Sequence, residues 1–174
     1  ADAVWGCYER ALRARAAALY AACVVDDALV SFANVDGSGR GDGVTLCYLD
    51  VQTMRALSAY DVRWTAVANR SEAILTDSRA LMSSELPLYR ASYTPAKDAF
   101  SNATAQMTEA ALTILHAAQI SAAGEQTLDW LDAQLGAGAI YAQYASNGQV
   151  GYGFRYEAIG SYAVLAQVGA VSGH

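Results

Sequence analysis

The chain has 174 residues, 54% of them hydrophobic and 16% charged, a balance that excludes a disordered, solvated chain and suffices for a single domain with a real core. A formal net charge of -6 with no compensating basic stripe excludes nucleic-acid binding, because a phosphate backbone would repel it. Apolar runs are broken by Arg10, Arg13, Arg15, Asp26 and Asp27 near the start and by Arg155 and Glu157 near the end, so no membrane span is expected.

Alanine-rich composition with two prolines favours helix, since alanine loses no rotamer freedom on entering one. The first predicted helix runs from about Cys7 to Val25 and ends at Asp26 and Asp27. The glycine-rich stretch Asp36-Gly37-Ser38-Gly39-Arg40-Gly41-Asp42-Gly43 reads as a loop. Asp50 is a good N-cap for a helix to about Tyr60, and Asp61 for the next. In that next helix Trp64, Val67, Ala68, Ser71 and Leu75 recur at spacings of three and four and define a buried face. Helices joined this closely fold back antiparallel.

After a loop containing Pro87 and Pro95 the pattern repeats. A helix is expected from about Asn102 to Ile120, with Met107, Ala111, Ile114, Leu115 and Ala118 as its stripe. Gly124 breaks the chain before a shorter helix with Leu128, Leu131 and Leu135. Loose alternation between Ala139 and Tyr156 around Asn147-Gly148 predicts a small β-hairpin. Glu157 to Val171 predicts a final helix, apolar nearly all round and so buried. Tyr8-Glu9 and Tyr156-Glu157 open the first and last helices alike, a faint internal echo.

Cys7, Cys23 and Cys47 are odd in number and lack ligand spacing, so they read as buried free thiols rather than a disulfide framework. His116 reads as a partly buried helix residue, and His174 ends the chain; no metal or other cofactor is expected. The glycine-rich loop alternates Asp36, Ser38, Arg40 and Asp42 as a calcium loop would. Arg40 nevertheless puts a cation at a ligand position, and Cys47 replaces the bidentate glutamate. Arg40-Gly41-Asp42 is a chance tripeptide. Asn69-Arg70-Ser71 and Asn102-Ala103-Thr104 match glycosylation acceptors but fall within predicted helices. No signal peptide is evident, and Ala1 in place of Met points to a processed, trimmed or truncated start; the compartment is not legible from it.

Three stretches carry a resemblance: Cys47-Tyr48-Leu49-Asp50 through Arg63-Trp64-Thr65-Ala66-Val67-Ala68; Ser84-Glu85-Leu86-Pro87 with Phe100-Ser101-Asn102-Ala103-Thr104; and Asp129-Trp130-Leu131 through Gly138-Ala139-Ile140-Tyr141-Ala142-Gln143-Tyr144 to Arg155-Tyr156-Glu157. Together they resemble glycoside hydrolase family 8 and its bacterial exopolysaccharide-associated relatives, within the six-hairpin glycosidases. The resemblance implies an all-α fold of antiparallel helical hairpins forming part of an (α/α)6 toroid. Residues 1-174 would be a single domain, its C-terminal half. Six or seven helices are expected, about half of what a full ring needs, so an N-terminal half is an implied partner.

The resemblance also implies an inverting hydrolase of polysaccharide or oligosaccharide, in which two carboxylates share the proton transfers. The family's general acid belongs to the first hairpins, which this chain does not include. Asn102 stands where its base, an aspartate, would be, and an amide cannot take that proton. Asp98, four residues earlier, reads either as a second catalytic candidate or as a solvated loop aspartate beside Lys97. Asp50 and Glu157 read as helix caps or as cleft residues. Tyr89, Tyr93, Tyr141, Tyr144, Tyr152, Phe154 and Tyr156 read as sugar-stacking platforms, or as packing of the hairpin on the helices. The leading functional reading is a carbohydrate-active protein, inactive as this chain alone. The alternative is a non-catalytic helical-repeat module that binds a glycan or a partner protein.

Overall fold

A computed structural model describes residues 2–102 and 104–173. About half of the chain is helical, in six α-helices among the described residues. The first, α1 (Asp2–Cys23), leads into a tight antiparallel pair, β1 (Val24–Val25) and β2 (Ala28–Leu29). Asp26 and Asp27, expected only to end the helix, form the turn of this pair with φ of 48° and 61°. That is the left-handed geometry a two-residue hairpin turn requires. The glycine-rich stretch is a loop, as expected, held by Asn34 N–H to Gly39 O (2.8 Å) and Ser31 N–H to Gly43 O (2.9 Å).

Next come β3 (Val44–Thr45), α2 (Val51–Leu57) and α3 (Trp64–Thr76). Asp50 caps α2 as predicted: its carboxylate accepts from Thr53 N–H at 2.8 Å and from the Thr53 hydroxyl at 2.6 Å. α2 stops at Leu57 and a turn carries the chain to Tyr60, so the helix is shorter than the sequence pattern indicated. Asp50→Ala is expected to destabilise the fold by about 1 kcal/mol, the usual effect of losing an N-cap; equal denaturation midpoints for variant and parent would contradict it. The predicted stripe of α3 is buried at every position, and α2 packs against α3.

The loop after α3 contains strands that no sequence pattern announced: β4 (Ser92–Thr94) pairs with β3 on one edge and β5 (Ala99–Phe100) on the other. Each is two or three residues long, too short for alternation to register. The expected helix from Asn102 begins only at Met107, because residues 105 and 106 form β6 (Ala105–Gln106), paired antiparallel with β7 (Gln143–Tyr144). Asn102 and Thr104 of that acceptor are therefore outside a helix; Ala103 lies outside the described residues, as does His174. α4 (Met107–Gln119) is central and buries its predicted stripe, packing on α6, α2 and α3. α5 (Glu125–Gly136) follows the Gly124 break; Leu128 and Leu131 are buried, whereas Leu135 is half exposed. The buried Thr127 hydroxyl donates to Pro87 O at 2.8 Å and ties α5 to the preceding loop.

The β-hairpin expected over 139–156 is not formed as such. The Asn147-Gly148 turn is present, with Gly148 at φ 77° and Ala145 N–H donating to Gln149 O at 2.8 Å. It is closed by one bridge, Tyr144 to Val150, while the other edge of Tyr144 pairs with Ala105 across β6 and β7. α6 (Ile159–Ser172) also corrects the sequence reading: only Ser161, Leu165 and Val168 are buried, and Ile159 is 75% exposed. Its largely apolar sequence packs chiefly on α4, and Ile159 and Val171 among its apolar side chains stay exposed. The thiols are free, but Cys7 is exposed, Cys23 half-buried and only Cys47 buried.

Candidate functional site

The segment leaving α3, strand β4 and the turn between β4 and β5 bring a set of charged and aromatic side chains together. Asp77-x-Arg79 is a local unit: the Asp77 carboxylate accepts from Arg79 N–H at 2.8 Å and from its guanidinium at 2.7 Å. The same unit recurs at Asp61 and Arg63, at 3.1 and 2.6 Å. Arg79 also reaches across to Asp98, at 3.0 Å to Oδ1 and 3.2 Å to Oδ2. The Tyr93 hydroxyl donates to Asp98 Oδ1 at 3.0 Å, and Arg70 donates to that hydroxyl at 3.3 Å. A continuous path thus runs from Asp77 through Arg79, Asp98 and Tyr93 to Arg70 on α3.

Arg79 and the Tyr93 hydroxyl hold the Asp98 carboxyl below the usual carboxylate range, and Arg79 does the same for Asp77. Burial, then the Asp98 carboxylate, raises Tyr93. Asp98 is therefore ionised at neutral pH and of reduced basicity, which suits holding a polar partner better than donating or abstracting a proton. Its backbone is in the left-handed region, φ 45°, where few non-glycine residues reside.

Asn102 lies beside this set through Arg90. The Arg90 guanidinium donates to Asn102 Oδ1 at 2.7 Å, Ser101 O at 2.9 Å, Arg79 O at 3.0 Å and Met82 O at 3.1 Å. An aspartate at position 102 would pair with Arg90 and stay ionised. Asn102, Asp98 and Tyr93 are thus linked through Arg90 and Arg79. Tyr156 and Glu157 occupy the adjoining layer: Ala142 N–H donates to Tyr156 O at 3.0 Å, and Met107 N–H to Ala142 O at 2.9 Å.

Other candidates have different settings. The Asp50 carboxylate is committed to its cap. Glu157 does not cap α6, whose first turn has no side-chain cap; it is exposed and its backbone bridges Tyr141. Tyr89 and Tyr93 are 4% and 5% exposed, so their rings are covered by the core; the Tyr93 hydroxyl meets Asp98 and Arg70, and the Tyr89 hydroxyl makes one long contact with Ala122 O. Tyr152 and Tyr156 are open, and Phe154 lies 6.1 Å from Tyr156 between ring centroids. Sequence reasoning missed Arg70, Arg79 and Arg90. The repeated Asp-x-Arg spacing was the available signal for Arg79; the other two have none, because their partners are distant in sequence.

Beside Arg70 opens a cleft of about 560 Å3, bounded by the β1–β2 turn, the glycine-rich loop and Pro95. No group of three or more His, Cys, Asp or Glu among the described residues could hold a metal ion, and no described helix is long and apolar enough to cross a membrane.

Compared with solved structures, the chain superposes on a novel alpha-amylase from Clostridium perfringens with a TM-score of 0.80 at 24% identity. The match covers 91% of this chain and 47% of that one. The fold is one that carbohydrate-hydrolysing enzymes have. The apo structure of a beta-1,3-1,4-glucanase from Paenibacillus sp. X4 is a second such match, with a TM-score of 0.70, 14% identity, and coverage of 95% of this chain and 50% of that one. The chain therefore spans about half the length of these two structures. No family model and no curated protein matches the sequence.

Proposed function

We propose that the chain is a carbohydrate-active protein of the six-hairpin class, one half of an (α/α)6 ring, that binds polysaccharide but does not hydrolyse it alone. The supporting observation is that the chain aligns with about half of an alpha-amylase and of a glucanase while its own first and last helices keep apolar side chains exposed. Ala16 is the one described side chain of α1 that is buried, Leu19 is 45% exposed, and α6 leaves Ile159 and Val171 open. Exposed apolar faces of this kind mark surfaces built to be covered. In this reading they meet the other half of the ring, supplied by an N-terminal partner segment.

Hydrolysis is not expected because the two proton-transfer roles lack groups. Asn102 is an amide bound to Arg90, and Asp98 is held ionised by Arg79. Loss of a general acid or base lowers rate by about a hundred- to ten-thousand-fold each. Polysaccharide binding does not need those transfers, and Tyr152 and Tyr156 offer open aromatic faces for it. The test is affinity electrophoresis in soluble β-glucan and chitosan, with reducing ends measured on the same samples and with Asn102→Asp alongside. Retarded migration without reducing ends is the expected result. Unretarded migration in every glycan would sink the carbohydrate reading, and clear turnover by the unmodified chain would sink the claim of incompleteness.

A further inference from the structure

We propose that the cleft between the β1–β2 turn, the glycine-rich loop and α3 is a binding site for an uncharged saccharide, held through its vicinal hydroxyls by Asp26, Asp42, Arg40 and Arg70. The proposal rests on the carbohydrate-active reading and adds a place and a ligand class to it. At about 560 Å3 the cleft falls within the range of roughly 300–1,000 Å3 found for small-ligand sites.

Two carboxylates and two guanidinium groups line the same cleft, yet none of the four is joined to another by an ion pair among the described residues. The Asp26 and Asp42 carboxylates have no side-chain hydrogen bond there either. Arg40 makes one long contact, 3.5 Å to Val24 O. Arg70 is positioned rather than neutralised: its guanidinium lies 5.7 Å from the Tyr93 ring centroid and donates to the Tyr93 hydroxyl, which Asp98 fixes from the far side.

Balanced charge decides the ligand class. A phosphate, sulfate or uronate would gain from the arginines and be repelled by the aspartates, and a cation the reverse. A vicinal diol suits both, because each hydroxyl can donate to a carboxylate and accept from a guanidinium. An aromatic surface is also at hand. Phe32 is 57% exposed and packs closely on Gly41 of the cleft wall, where a Cβ would come within 3.2 Å of two ring carbons. Such a ring offers the apolar face that sugars stack upon. The loop that carries Arg40-Gly41-Asp42 thus supplies two of the four polar groups, while Asp26 is presented by the left-handed turn between β1 and β2.

The test is isothermal titration calorimetry of the whole chain with neutral cello-, malto- and mixed-linkage oligosaccharides, and with oligogalacturonate as the anionic probe. Asp26→Asn, Asp42→Asn and Arg40→Gln are compared with Asp129→Asn, an exposed charge on α5, and circular dichroism confirms that each is folded. Asn tolerates the backbone of position 26. At least one neutral oligosaccharide is expected to bind, with affinity lowered about ten-fold or more by each cleft substitution and unchanged by Asp129→Asn. Neutral binding unaffected by the cleft substitutions would overturn this site while leaving the carbohydrate reading intact. Preference for oligogalacturonate would overturn the ligand class. Binding of no saccharide would overturn the site and the carbohydrate reading together.

Discussion

Replacing Trp64 by alanine is expected to lower stability by about 3–5 kcal/mol, the range for truncating a buried aromatic. Trp64 opens α3 and is 1% exposed, among the largest fully buried side chains. Its ring meets Tyr20 of α1 edge-on, centroids 6.0 Å apart at 76°, and Tyr20 in turn carries Arg63 over its face at 4.3 Å. The substitution would therefore open a cavity between α1 and the α2–α3 pair as well as remove transfer energy. The indole N–H is buried without a hydrogen-bond partner among the described residues, so the loss comes from packing and not from a broken hydrogen bond. Trp64→Phe, which keeps a ring and removes that orphan donor, should be milder. Denaturant midpoints at an unchanged slope would measure both. A change below about 1 kcal/mol for Trp64→Ala would show that the contact between α1 and α3 does not anchor the fold.

Alkali should weaken the protein through Tyr89. Burial pushes its hydroxyl up to about 12 from an ordinary value near 10, and the hydroxyl has only a long contact, 3.5 Å to Ala122 O, to offset that burial. The neutral form belongs to the folded state, so the unfolded chain releases its proton first. The stability this contributes is complete below pH 10 and is lost as pH rises from about 10 to 12. Two units correspond to about 3 kcal/mol at most. Tyr144, raised mainly by burial, acts in the same direction. Tyr89→Phe removes the titration and costs only that weak contact. The difference in stability between Tyr89→Phe and the parent should therefore grow towards this amount between pH 9 and 12, and phenolate absorbance should show a late-ionising tyrosine that Tyr89→Phe removes. A difference that stays constant over that window would mean the Tyr89 hydroxyl is not withheld from water.

Local physics made much of this protein legible from its residues. Helical spacing located α3 and α4 and named the side chains that bury, because a 3.6-residue period survives any packing arrangement. Asp50 was readable as a cap because a carboxylate three residues before a free amide needs no distant partner. Three decisions needed the tertiary structure. The strands of two or three residues exist only because a neighbour completes their hydrogen bonds: Ala105–Gln106 became β6 once Gln143–Tyr144 was beside it, which delayed α4, while the turn that Asn147-Gly148 announced closed on a single bridge. The candidate site depends on Arg70, Arg79 and Arg90 meeting Tyr93, Asp98 and Asn102 across intervals of 12 to 23 residues, and no local pattern encodes such meetings. α6 reads as a core helix, but burial belongs to the surroundings and not to the segment, and only Ser161, Leu165 and Val168 of this helix are fully covered.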